Sequence, residues 1–294
     1  MSKNETILLT GATGFLGSKI LETLLAENYK VIILKRQTSD THRIQHLLDQ
    51  VQSYDVDTCS AELPFNEQEI DVVIHTACNY GKNNTPMNQI IESNVLFGIK
   101  ILETAIKFEI KTFINIDTLL PKDLNFYSLS KSQFVDYLKL LTHKIQIINL
   151  KIEYMYGPND NTNQFIPWMF SQLRSETPLI KLTKGTQYRD FIYIDDVASA
   201  CLTTLKKAKT MAQYNKLEVG TGQSITIKDF LQKFIHIYEL RFGKIHSHLA
   251  FGELPFRKGE LMRCDVNNKS LIELGWSPKI KLEEGLKNLI DEIT

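Results

Sequence analysis

The segment Thr10-Gly11-Ala12-Thr13-Gly14-Phe15-Leu16-Gly17 constrains this chain more than any other. It succeeds a short apolar run, Thr6–Thr10, and opens an amphipathic stretch. Glycines at this spacing between a strand and a helix permit a tight turn and let a pyrophosphate approach the backbone. The helix start then offers free N–H groups and the positive end of its dipole to an anion. An ordinary glycine-rich turn has the same local look, so the reading depends on the pattern of the rest of the chain.

Beyond the turn the strand-then-helix rhythm continues. Runs rich in β-branched residues recur at Lys30–Leu34, Val72–Thr76, Lys111–Ile116, Ile145–Leu150 and Leu217–Val219, each leading into a helical pattern, with a weaker strand near Val51–Thr58. This alternation predicts right-handed βαβ units and a doubly wound parallel sheet, the α/β class. Past the turn signal Gly157-Pro158-Asn159-Asp160 the alternation loosens, with helices expected over Gln164–Arg174, Ile227–Glu239 and Leu282–Asp291. The expected organisation is a dinucleotide-binding domain from residues 1–157 and 189–223, with a smaller, discontinuous α/β lobe from 158–188 and 224–294. The helix expected from Pro86 to Phe108 carries apolar residues, among them Ile90, Val95, Leu96, Ile101 and Ala105, around most of its circumference. It must bury a second face besides the one on the sheet.

Charge and composition exclude several classes. The 294 residues carry 34 basic and 34 acidic side chains, which argues against a nucleic-acid or anionic-membrane binder working through bulk charge. No apolar run approaches the ~20 residues of a membrane-spanning helix, and residues 1–9 lack the pattern of a secretion signal. Cys59, Cys78, Cys201 and Cys264 sit far apart and read as small hydrophobes in a reducing cytoplasm. His42 and His46, on an expected helix, and His246-x-His248 lack a third ligand nearby, so no metal is expected. No Gly-x-Ser-x-Gly elbow suggests a hydrolase.

The end of the second strand, Ile33-Leu34-Lys35-Arg36-Gln37-Thr38, has no acid to bind the ribose 2′-hydroxyl of NAD. Its adjacent basic residues suit a 2′-phosphate, favouring NADP with NAD as the alternative. The only Tyr-x-x-x-Lys in the chain, Tyr127-Ser128-Leu129-Ser130-Lys131, begins a helix just after the Lys111–Ile116 strand. Residues four apart share a helix face. A nearby ammonium is expected to lower the tyrosine pKa so that it can exchange a proton. Thr118, two residues past that strand, can point a hydroxyl into the same crevice.

Taken together, Gly11-x-x-Gly14-x-x-Gly17, His75-Thr76-Ala77, Asn94, Thr118, Tyr127-x-x-x-Lys131, Tyr156-Gly157-Pro158, Arg189-Asp190-Phe191 and Leu274-Gly275-Trp276 resemble the extended short-chain dehydrogenases/reductases, the epimerase/dehydratase family, over nearly the whole chain. Tyr80-Gly81-Lys82, Glu92-Ser93-Asn94, the stretch Lys151 to Gly157, Phe165-Ile166-Pro167 and Gly259-Glu260-Leu261-Met262 look closer still to the CDP-abequose and CDP-paratose synthases. The resemblance implies a Rossmann-type fold, a homodimer, and NADPH reduction of the 4-keto group of CDP-4-keto-3,6-dideoxyglucose, in making O-antigen sugars of lipopolysaccharide. It implies Tyr127 as general acid, Lys131 on the nicotinamide ribose and Thr118 on the reacting oxygen. Cofactor contacts fall to Gly11, Thr13, Gly14, Phe15, Leu16, Gly17, Lys35, Arg36, Thr76, Ala77 and Asn94, with Tyr127 and Lys131. Contacts to the nucleotide-sugar substrate fall to Asn163, Phe165, Lys181, Arg189 and Arg257 beside Thr118. For Arg189 and Arg257 the competing reading is salt bridging with Asp190 or Glu260.

Two departures from the family matter. Only eight residues separate Thr118 from Tyr127, which shortens the rim of the site. Sugar 4,6-dehydratases carry Asp-Glu after the threonine, whereas this chain has Leu119-Leu120, which cannot move protons. The readings left are an NADPH-dependent 4-ketoreductase, an NAD-dependent 4-epimerase and a non-catalytic dinucleotide-binding sensor or scaffold. The Thr118, Tyr127 and Lys131 set argues against the last.

Overall fold

The computed structural model describes residues 5–82, 84–257 and 259–292, which divide into two compact units. The first comprises residues up to 152, 198–219 and 269–276. Its strands are β1 (Thr6–Thr10), β2 (Lys30–Lys35), β3 (Gln52–Asp55), β4 (Val72–His75), β5 (Thr112–Thr118), β6 (Gln146–Ile152) and a seventh, Tyr214–Val219. They form one sheet in the order seventh strand, β6, β5, β4, β1, β2, β3, and every pairing is parallel. The chain runs outward from β1 to β3 and returns to β4 on the other side of β1. This is the switch point at which a doubly wound sheet opens a ligand crevice at its strand C-termini.

The inner strands β1, β2, β4, β5 and β6 are buried along most of their length, which is why they read as continuous apolar runs, whereas β3 and the seventh strand are more open. Leu8, Ile32, Val73, Phe113 and Ile147 pack with Ile101, Leu102, Ala105, Phe134 and Leu138 from the flanking helices. The helix expected from Pro86 to Phe108 runs from Met87 to Lys107, with a π-helical turn at Glu92–Leu96. Part of its second apolar face meets the helix Phe126–Leu140, where Gly98 lies against the Phe134 ring. The stretch holding His42 and His46 is not the expected helix: it is a turn leading to a short 3₁₀ segment, Gln45–Gln50. His42 pairs with Asp40 there, and among the described residues no group of three or more His, Cys, Asp or Glu side chains is arranged to hold a metal ion.

The second unit comprises residues 153–197, 220–268 and from 277 on. Its longer helices are Phe165–Arg174, Ile227–Phe242 and Leu282–Glu292. Three two-stranded ribbons accompany them: Tyr154–Tyr156 with Phe191–Tyr193, Tyr188–Arg189 with Ile225–Thr226, and Leu179–Leu182 with His248–Phe251. Phe191 stacks on Phe230 with centroids 3.8 Å apart, and Tyr156 packs edge-on to both rings. The unit boundaries differ from those read in the sequence. Residues 189–197 fall here because Phe191–Tyr193 pairs with Tyr154–Tyr156. Residues 269–276 fall in the first unit, where the Trp276 indole N–H donates to Ser199 Oγ at 2.9 Å.

Candidate active site

The glycine turn is built by close approach. Gly11 has φ +72°, and a Cβ there would lie 2.6 Å from both Ala77 N and Thr76 Oγ1. A Cβ on Gly17 would run into the Gly11 carbonyl. Gly14 donates its N–H to Gly11 O at 3.0 Å and caps the helix Phe15–Ala26, whose first turn has no side-chain cap and no acid. The end of β4 is tied to that of β1: Thr76 Oγ1 donates to Thr10 O at 2.7 Å and Ala77 N–H to Thr10 Oγ1 at 3.3 Å. Gly11, Thr13, Gly14, Phe15, Leu16, Gly17, Thr76 and Ala77 are thus brought to one end of the sheet. A bare backbone cradle at an uncapped helix start fits a dinucleotide diphosphate.

Lys35, the last residue of β2, is half-buried, and Arg36, which follows it directly, is exposed. The turn is pinned by Arg36 N–H on Ser39 Oγ at 3.0 Å and Gln37 N–H on Asp57 Oδ2 at 3.0 Å.

Tyr127 occupies the first turn of a helix fixed by a capping box between Asn125 and Ser128. Thr118, at the end of β5, hydrogen-bonds the Tyr127 phenol and accepts the Leu120 N–H at 3.2 Å. Lys131, one helical turn on, is buried. Burial holds the Tyr127 pKa well above its ordinary value. Cys78, Tyr80 and Asp117 push the same way, and the Thr118 hydrogen bond opposes them. The expectation that Lys131 brings the phenol down is therefore reversed, because desolvation of the phenolate outweighs the aid of neighbouring groups. The result is a neutral phenol, competent to donate a proton. The Lys131 charge does act on its other neighbours: His75, pushed down to about 3 chiefly by burial, and Cys78, whose pKa burial raises against the pull of Lys131 and a hydrogen bond with Tyr80.

Asn94 lies in the π-helical turn, a feature frequent at functional sites. Its Oδ1 accepts from Asn79 N–H at 2.6 Å, while Nδ2 donates to Asn79 O and Ser130 Oγ, both at 2.9 Å. Its amide thereby clamps the loop after β4 to the helix of Tyr127. That loop brings in neighbours that motif spacing missed: Cys78, and Tyr80, whose ring centroid is 5.0 Å from that of Tyr127. Their position just past the end of β4 was the available signal.

In the second unit the guanidinium of Arg189 is paired with Glu260 at 2.8 Å and donates to Tyr188 O at 2.7 Å. Asp190 instead binds Thr221 and the Gly222 N–H. Of the competing salt-bridge reading, the Glu260 half is what the structure contains. Arg257 is exposed, and its charge and that of Arg189 both reach half-buried Tyr154. Glu153 was not singled out from the sequence. Burial pushes its carboxyl up to about 7, against a Cys264 hydrogen bond and Arg189, with Asp190 adding to the rise. Asn163 and Lys181 are exposed, Lys181 on its ribbon, and Phe165 stacks with Trp168 at 6.2 Å.

Fold and cradle together define a Rossmann-type dinucleotide-binding protein. The description of the NAD dependent epimerase/dehydratase family matches residues 7–220. The CDP-abequose synthases of Salmonella typhimurium and Salmonella muenchen are 31% and 32% identical, each over 98% of this chain and 98% and 97% of their own lengths. UDP-glucose 4-epimerase from Thermotoga maritima, solved with UDP-glucose, superposes with TM-score 0.84 at 23% identity, covering 98% of both chains. The Thermus thermophilus UDP-glucose 4-epimerase complex with NAD gives 0.80 at 22%, again covering 98% of both. The chain belongs to the NAD dependent epimerase/dehydratase family, nicotinamide-dinucleotide enzymes that modify nucleotide sugars.

Proposed function

We propose that this enzyme is an NADPH-dependent reductase of the 4-keto group of a nucleotide-linked deoxysugar, of the CDP-4-keto-3,6-dideoxyglucose type, in surface-polysaccharide sugar synthesis. The observation that carries the reading is the end of β2, with Lys35 and exposed Arg36 where an NAD enzyme places an acid. A reductase must exchange its cofactor at every turnover and so draws on NADPH. The likeness to two CDP-abequose synthases supports the substrate class, and Leu119-Leu120 removes the proton-transfer pair that a dehydratase needs.

The cofactor, held at Gly11, Thr13, Gly14, Phe15, Leu16, Gly17, Thr76 and Ala77 with Lys35 and Arg36 at its phosphate, supplies a hydride when bound. Tyr127 donates the proton to the reacting oxygen, which Thr118 holds. Lys131 steadies the charge left on the phenol and binds ribose. Asn94 positions both through Asn79 and Ser130. Arg189, Arg257, Lys181, Asn163 and Phe165 hold the nucleotide sugar, Arg189 and Arg257 at its diphosphate. Four cysteines that form no disulfide among the described residues are consistent with work in the cytoplasm, and no described helix is long and apolar enough to cross a membrane.

A second copy of the chain covers the apolar residues left outward on the helices Met87–Lys107 and Phe126–Leu140. Leu96, 57% exposed, and Leu140, 72% exposed, are the most prominent, beside Met87, Leu129 and Tyr137. Sedimentation at micromolar concentration should give a dimer, and a monomer would remove this part of the proposal.

The test of function is incubation with NADPH and CDP-, dTDP- and GDP-linked 4-keto sugars, monitoring absorbance loss and identifying the product by NMR. Stoichiometric NADPH oxidation with a new C4 hydroxyl is expected. The second reading, a 4-epimerase, is favoured by a putative UDP-glucose 4-epimerase of Methanocaldococcus jannaschii, 28% identical over 97% of both chains. Interconversion of C4 epimers without NADPH consumption would establish it.

A further inference from the structure

We propose that Arg43 is a second arginine of the cofactor site and meets the ribose 2′-phosphate together with Arg36, an inference that rests on the NADPH reading above. Arg36 and Arg43 stand at the two ends of a loop that is turned at each end by a local hydrogen bond. The Ser39 N–H donates to Arg36 O at 3.1 Å, Ser39 Oγ accepts the Arg36 N–H, and the Ile44 N–H donates to Thr41 O at 2.9 Å. Asp40, the acid within the loop, lies close enough to Arg43 to feel its charge. Its carboxylate is engaged by His42, through the backbone N–H at 3.0 Å and ring Nδ1 at 2.8 Å.

Arg43 itself reaches back across 30 residues of sequence to the glycine turn. Its Nη1 donates to the Thr13 carbonyl at 3.4 Å. Thr13 precedes Gly14, the N-cap whose helix has neither a side-chain cap nor an acid in its first turn. A forked cation is thereby half-buried beside the one turn in the fold already shaped for phosphate, on the side where β2 ends in Lys35 and Arg36. A guanidinium can hold more than one acceptor at once, and two arginines on one loop can grip a phosphate from different directions. Motif spacing does not show this, because Arg43 lies past the segment in which such charges are sought.

The test is calorimetric titration of the intact protein with 2′,5′-ADP and with 5′-ADP, for wild type and Arg43→Met. The wild type should prefer 2′,5′-ADP. Arg43→Met should weaken 2′,5′-ADP about tenfold or more and 5′-ADP less than about twofold, a charge-assisted bond to phosphate being what is lost. Retained 5′-ADP affinity shows that the variant is folded. Equal losses for both ligands, or none for 2′,5′-ADP, overturn the role of Arg43 and leave the NADPH reading standing. A wild type that binds the two ligands alike overturns the NADPH reading and this role with it.

Discussion

Tyr127 in the first unit and Glu153 in the second are both pushed upward by burial, with opposite consequences. Around Tyr127 the near groups are the Thr118 hydroxyl, the Cys78 thiol, the Tyr80 phenol and, further off, Asp117. A phenol starts high, so desolvation leaves it neutral at every physiological pH. Around Glu153 stand Arg189, Asp190 and the Cys264 thiol, and its carboxyl starts low. The same desolvation therefore carries it to about 7, where it changes charge within the working range. One unit thus holds a phenol that stays neutral across the working range, and the other a carboxyl that titrates beside Arg189.

The sharpest way to break this contrast is Tyr127→Phe. Folding and 5′-ADP binding should survive while turnover falls about a hundredfold or more, the loss expected for a positioned proton donor. A variant keeping over a tenth of normal turnover would remove the phenol from the chemistry.

Next in size is Gly98→Ala, which tests whether the Tyr127 helix is held by tight packing. The new Cβ would lie 2.7 Å from Phe134 Cε2 and Cζ. That ring is fully buried between His75, 5.4 Å away, and Phe113, 6.3 Å away. Overpacking should cost about 1–3 kcal/mol in denaturant unfolding. No change in the midpoint would show that Phe134 can swing aside.

Glu153→Gln examines the other side of the comparison. Because the folded pKa is raised from 4.5 to about 7, the protonated form is the one the fold favours. The stability that this contributes is present below about pH 4.5 and lost as pH rises through about 7. The glutamine variant should escape that loss. At pH 8 its Tm should exceed that of wild type by at least roughly 2–4 °C, and below about pH 4 the gain should vanish. Parallel Tm curves for the two proteins would rule out a titrating Glu153.

The smallest effect belongs to an exposed ion pair set against a covered one. Lys107 and Glu62 meet at 2.8 Å but are 61% and 44% exposed, whereas the Arg189–Glu260 side chains are 11% and 19% exposed. Lys107→Ala should change unfolding free energy by less than about 0.5 kcal/mol. A larger loss would mean that the ammonium, which lies 5.9 Å over the Phe108 ring, contributes more there than in the ion pair.

Legibility in the sequence tracks the range of the interaction. The inner strands of the large sheet are readable to within a few residues, because a strand buried on both faces is a contiguous apolar run, whereas the exposed edge strand β3 (Gln52–Asp55) leaves only a weak trace. Asn94 reads from the sequence only as a cofactor contact; that its amide also clamps Asn79 to Ser130 leaves no periodic trace. The sequence pattern groups residues 189–223 with the first domain, while backbone pairing of Phe191–Tyr193 puts 189–197 in the second unit.

By itself the sequence determined what depends on neighbours along the chain: a glycine turn between strand and helix, basic residues ending β2, and a tyrosine and lysine one helical turn apart. Tertiary structure decided the rest. It set Tyr80 against Tyr127, turned Arg43 onto Thr13 and paired Arg189 with Glu260 across 71 residues. It also decided the direction in which Tyr127 is shifted, since spacing can place an ammonium near a phenol but only packing determines how much water both of them lose.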